Sequence, residues 1–263
     1  MVARFASLVV VGLLAVPAFG QAPKKDAAAE MLAKLREPWK EPALADGRLS
    51  DLITVMTEQY DLAVIVKEDE FKQAGMDAVR DRTVRFPRGK GLGLRTVLNT
   101  VLAQVNGTFL VRKDHIEFLP IALAGKLLAV GVEEGDGIPR LVQPIVSVIV
   151  KEKPLNEVVA DLAEEFDLNV VVAPQAGDSR MAFVSVRLLN VPADKALDVI
   201  ATAADLRVVR KGNVFLITNR DHANEMFGEK LDKERQKIEV EKLRDAPAVA
   251  PAAPPPAKPE EKK

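Results

Sequence analysis

The chain has 263 residues, with 37 Lys and Arg against 38 Asp and Glu, two His and no Cys. A net charge of −1 and 5% aromatic residues leave neither a broad basic field nor a set of stacking platforms, so nucleic acid is not an expected partner. The absence of Cys excludes disulfides and thiolate nucleophiles, and His115 and His222 alone are a poor basis for a zinc site. No cofactor and no catalytic or metal-binding residue is expected.

Residues 1–20, MVARFASLVVVGLLAVPAFG, read as a secretory signal peptide. Arg4 supplies the positive start, Leu8–Val16 the apolar core, and Ala18 and Gly20 the small residues before a cut at Gln21. The core falls short of the roughly 20 residues of a spanning helix. Cleavage removes one cation, Arg4, leaving 36 basic against 38 acidic residues, a mature charge of −2. No later run is long and apolar enough to span a bilayer, so the expected location is the periplasm or the outer-membrane surface, without a transmembrane segment.

Residues 21–41 read as a linker or short helix, with helical spacing over Ala27–Arg36 that stops before Pro38. The next two stretches, 42–119 and 144–220, resemble each other. Leu49, Leu52, Ile53, Met56 and Tyr60 are followed by Leu62, Val64 and Val66. A shift of 106 carries them onto Leu155, Val158, Val159, Leu162 and Phe166, then Leu168, Val170 and Val172. The first five positions form the stripe of an amphipathic helix, and the last three alternate as a half-buried strand does. Asp51 and Pro154 fit the helix starts.

A shift of 99 then carries Leu98, Val101, Ile116 and Phe118 onto Leu197, Ile200, Phe215 and Ile217. Each second half predicts a strand (Thr83–Phe86; Phe183–Leu188), a helix (Leu92–Gln104; Ala193–Ala203) and a hairpin. The hairpins turn at Arg112-Lys113-Asp114 and Lys211-Gly212-Asn213. The second stretch also opens on a strand, Ile145–Val150, where the first has only the weak Pro42–Ala45. The fold class is therefore α+β: two tandem β-α-β-β-α-β-β units, small mixed sheets packed on two helices each. Residues 120–143 read as a linker with an acidic Gly131–Gly137 loop. Residues 221–245 read as a charged helix, with Glu229/Lys233 and Arg235/Glu239 at i,i+4. Residues 246–263 read as a disordered Pro/Ala tail.

The motifs that could carry chemistry have plainer readings. His115, between Asp114 and Glu117, reads as a surface histidine on a hairpin. His222 reads as a helix-start residue. Glu133, Glu134 and Asp136 lack the alternating ligands of a calcium loop. Pro87–Gly93 is glycine-rich and basic before a helix, yet lacks the phosphate-loop spacing, and reads as a turn into the helix. Asp161, Glu164 and Glu165 read as a solvated helix face.

The second unit resembles the STN domain, the short N-terminal domain of secretins and TonB-dependent receptors. The resemblance lies in Pro154-Leu155 with Val158-Val159, in Phe166-Asp167-Leu168-Asn169-Val170-Val171-Val172, in Asn190-Val191-Pro192 with Ala196-Leu197, and in Asn213–Thr218. The first unit is similar but more divergent, and no barrel or channel segment follows. The resemblance implies a non-catalytic envelope interaction or scaffold module whose partner is another envelope protein or a further copy of itself. An envelope hydrolase with a site in the groove between the units is the alternative. For partner binding the closing strand, Val214, Phe215, Leu216, Ile217 and Thr218, is the candidate: as the end of the hairpin it would offer a free sheet edge to an incoming strand, whereas its apolar run Val214–Ile217 also reads as an internal, buried strand.

Overall fold

The computed structural model describes residues 26–40, 46–89, 91–135 and 138–245. The signal peptide, Pro42–Ala45, Asp136 and the tail from Ala246 lie outside the described residues. The chain divides into two compact units, one up to Leu119 and one from Pro120. It is α+β, built on small sheets of two and three strands, as expected.

The first unit begins with α1 (Ala27–Leu35), started by the Asp26 carboxylate, which accepts the Ala28 N–H at 3.1 Å. There follow β1 (Asp46–Arg48), α2 (Leu49–Tyr60), β2 (Val64–Val66), α3 (Glu68–Gln73), a 3-10 turn at Val79–Asp81, β3 (Thr83–Arg85), α4 (Leu94–Ala103), β4 (Gly107–Val111) and β5 (Ile116–Pro120). Strands β1 and β3 pair antiparallel. Strand β5 lies between β2 and β4, parallel to β2. The opening strand is Asp46–Arg48, later than Pro42–Ala45. It has no apolar alternation and is held by pairing with β3 and by Gly47 lying flush on Phe86, where a Cβ would come within 2.6 Å of the ring.

Residues 27–40 belong to this unit and are more than a linker. Ala28, Met31, Leu32, Leu35 and Trp39 are all buried. The only Trp and the only Tyr of the chain stack, Trp39 on Tyr60, with centroids 6.4 Å apart and planes 3° apart. The Tyr60 hydroxyl donates to the Pro38 carbonyl (2.9 Å) and accepts from the Lys40 N–H (2.7 Å). Burial pushes the phenol up from its ordinary range, against the pull of the Lys40 N–H.

The second unit opens with α5 (Ile121–Leu128) and a hairpin of β6 (Val132–Gly135) and β7 (Ile138–Leu141). The segment expected as a linker is thus folded, and Glu133 and Glu134 sit on a strand. Next come β8 (Ile145–Pro154), α6 (Leu155–Phe166), β9 (Asn169–Val172), a 3-10 segment at Pro174–Met181, β10 (Phe183–Pro192), α7 (Ala193–Ala203), β11 (Arg207–Lys211), β12 (Val214–Thr218) and α8 (Arg220–Asp245). Strands β8 and β10 form an antiparallel ribbon, longer than expected, with two irregular steps. Serines satisfy the backbone at these steps: Ser185 Oγ accepts the Glu152 N–H and Ser147 Oγ accepts the Asn190 N–H, both at 2.9 Å. Strands β11, β12 and β9 form a mixed sheet, β12 antiparallel to β11 and parallel to β9. Helices α6 and α7 cover one face.

The same local solutions recur at matched positions. Asp61 and Asp167, each ending a helix, adopt left-handed φ of 50° and 52°. Asn106 and Asp205, each before a hairpin, adopt 47° and 57°. The first N–H of α2 (Leu49) donates to Arg82 O, and that of α6 (Leu155) to Ala182 O. Lys67 N–H donates to Phe118 O, and Ala173 N–H to Ile217 O. Leu52, Met56, Leu98 and Val101, and Val158, Leu162, Leu197 and Ile200, are all fully buried.

Helix α8 starts at Asn219, whose Oδ1 accepts the His222 N–H at 2.9 Å. Ala223 is buried, while Phe227, Leu231 and Ile238 are half exposed. No helix among the described residues is long and apolar enough to cross a membrane.

Candidate interaction site

Strand β12 is not at an edge. Its residues pair on both sides: Val214–Thr218 with β11, and Val214–Ile217 also with β9. Phe215, Ile217 and Thr218 are buried, and Val214 and Leu216 half-buried. A strand hydrogen-bonded to two neighbours has no free backbone to offer, so strand addition at Val214, Phe215, Leu216, Ile217 or Thr218 is ruled out in this fold. The uninterrupted apolar run of Val214–Ile217 has its physical reason in this central place, with Phe215 and Ile217 buried on the core face and Val214 and Leu216 half-buried on the other.

The edges of this sheet are β11 and β9. Strand β11 carries Arg207, Arg210 and Lys211 within five residues, the kind of charge that blunts an edge. Arg210 lies over the Phe215 ring at 5.6 Å, and its Nε–H donates to Gly212 O at 3.0 Å. Strand β9, Asn169-Val170-Val171-Val172, has no charge, no proline and no bulge. Its β-branched residues hold an extended backbone. Leu168 N–H is taken by Ala163 O at one end, and Pro174 begins the 3-10 segment at the other. Asn169 and Val171 are exposed, with Val171 49% accessible, while Val170 and Val172 lean toward the core.

The first unit places charge on the corresponding sheet. Glu117 on β5 stands where β12 has Leu216. Its side chain is 8% exposed and receives Lys67 Nζ at 3.0 Å and Arg112 Nε at 2.7 Å. Burial would push the Glu117 carboxyl up, but the hydrogen bonds and charges of Lys67 and Arg112 outweigh it and hold the group below its ordinary range.

The remaining motifs are locally engaged. His115 Nδ1 lies 2.8 Å from Asp114 Oδ1, a contact that lowers the Asp114 carboxyl. His222 Nδ1 lies 3.5 Å from Glu225. The helix after Pro87–Gly93 is tied at its start to the segment after α1. Its first N–H, Leu94, donates to Glu37 O, and Leu92 O accepts from Trp39 N–H. Lys90 lies outside the described residues. Asp161 is exposed and paired with Lys153 at 2.5 Å. Among the described residues no group of three or more His, Asp or Glu is placed to hold a metal ion. No known family model matches the chain, and no curated protein matches it.

Proposed function

We propose that the chain is a non-catalytic interaction or scaffold module of the cell envelope, of the kind the STN resemblance implies, and that it binds by strand addition at β9. The observation that carries this reading is an uncharged, β-branched edge strand bounded by Pro174, beside an opposite edge guarded by three cations. An extended partner strand gains main-chain hydrogen bonds there, and alternate side chains select it.

Two substitutions at β9 test the reading. Val172→Pro removes one backbone N–H at an edge position that donates nothing to β12, and Val171→Lys puts a charge on a half-exposed edge position. The wild-type chain is used to capture partners from envelope extract, read by mass spectrometry beside circular dichroism melts. Both variants are expected to lose capture while keeping the wild-type melt. Capture retained by both, with the fold intact, rejects the edge. Export is part of the proposal: protein recovered from the envelope fraction should begin at Gln21, and recovery of an uncut form rejects the leader.

A further inference from the structure

We propose that the strand added at β9 is β9 of a second copy, paired antiparallel about a two-fold axis through Val171. This rests on the edge reading above and names its occupant.

Backbone parity is the first argument. In a parallel pair, alternate residues turn their N–H and C=O groups to the neighbouring strand. Ala173 N–H donates to Ile217 O, so Asn169, Val171 and Ala173 turn toward β12. Val170 and Val172 therefore turn outward. An axis through Val171 sets Val170 of each copy opposite Val172 of the other. Both members of each pair face outward, which gives two hydrogen-bonded pairs and about four hydrogen bonds. An axis through Val170 would set Val172 against Leu168, whose N–H is already taken by Ala163 O. An axis through Val172 would set Val170 against Pro174, which has no N–H. Only Val171 at the centre completes both pairs.

Side chains agree with that axis. Leu216 pairs with Val171 on one side and Val209 on the other, so the three share one sheet face. Val171 meeting its own copy extends this apolar row across both sheets and covers its half-exposed methyl groups. From Leu168 to Pro174 there is no charge, so nothing repels. The matched strand of the first unit, β2, lacks this property. Its half-exposed Ile65 would be the centre, and Asp61 would then stand opposite Asp69 of the copy. Pairing of β11 with itself would bring Arg207, Arg210 and Lys211 of two copies together. An interface of four residues a side buries well below the roughly 1,000 Å² of a stable dimer, so the pairing is weak and reversible.

The chain has no cysteine, so one introduced thiol reports without background. At the axis two Val171 positions form a narrow, non-hydrogen-bonded pair with Cα atoms about 4.5 Å apart, within the range a disulfide bridges. Val171→Cys is oxidised mildly beside Ile65→Cys, equally exposed on β2, and Asn169→Cys, whose copies would stand about 13 Å apart. Val171→Cys is expected to form a dimer at least about tenfold faster than either control, and adding Val172→Pro should remove the difference. A rate for Val171→Cys equal to the controls, or a faster Asn169→Cys, overturns the self-pairing. If Val171→Lys nevertheless abolishes capture of an envelope protein, the edge reading stands and only its occupant is wrong.

Discussion

Leu162→Ala tests whether α6 is the keystone of the second core. Leu162 is fully inaccessible and lies in one cluster with Val158, Phe166, Leu197 and Ile200. The substitution removes three carbons, about 2.4 kcal/mol at roughly 0.8 kcal/mol per buried methylene. Helix α7 contributes Ala193, Ala196 and Ala201 to the same cluster, and such short side chains cannot lean into the space left behind. A residual cavity adds about 1 kcal/mol, for a loss of about 3 kcal/mol. At a urea dependence of about 2 kcal/mol per molar, the midpoint should fall by about 1.5 M. Circular dichroism in urea reads this, with Val199→Ala, half exposed on α7, as the reference expected within about 0.5 kcal/mol of wild type. A Leu162→Ala midpoint equal to that of Val199→Ala would refute the packing argument.

Glu117→Gln should cost about 1–2 kcal/mol at neutral pH, less than a fully buried pair because Lys67 and Arg112 are each about 40–46% exposed. The Glu117 carboxyl is lowered in the folded state, so its contribution is present above the ordinary carboxylate range and fades as the pH falls through it. The gap between wild type and variant should therefore shrink in acid, followed through Trp39 fluorescence in urea. Gly125→Ala would place a Cβ 2.6 Å from Val132 Cγ2 and 3.0 Å from the Val130 carbonyl. It should cost about 1–3 kcal/mol and speed proteolysis between residues 130 and 143. Asp167→Val forces a β-branched residue into left-handed backbone and should cost about 1–2 kcal/mol, whereas Asp167→Gly should stay within about 0.5 kcal/mol of wild type in the same titration.

What the sequence discloses follows the reach of each force. The helices at Leu49–Tyr60, Leu155–Phe166 and Ala193–Ala203 are legible because an apolar stripe is a local pattern. Helix α3 is hidden because Phe71 is its only buried residue, and one apolar position has no period. Strand β1, Asp-Gly-Arg, carries no strand signal and exists through its partner β3. The segment after Ile121 mixes glycine and acid and looks like a loop, and its hairpin depends on α5 packing closely through Gly125. The position of β12 depends on a parallel pairing with β9 across some forty residues of chain, which no local pattern encodes. The apolar run at Val214–Ile217 was the available sign of a central strand. The open edge at β9 becomes visible only once the sheet order is known. The row Phe227, Leu231 and Ile238 on α8 returns to one side of the helix at i, i+4 and i+11.

Residue-resolved amide exchange tests the edge most directly. In dilute protein the amides of Val170 and Val172 should exchange fast, while those of Val171, Ala173 and Val214–Thr218 are slow. Raising the protein concentration should protect Val170 and Val172 together and leave the others unchanged. Slow exchange at Val170 and Val172 in dilute protein, or fast exchange along Val214–Thr218, would contradict the account.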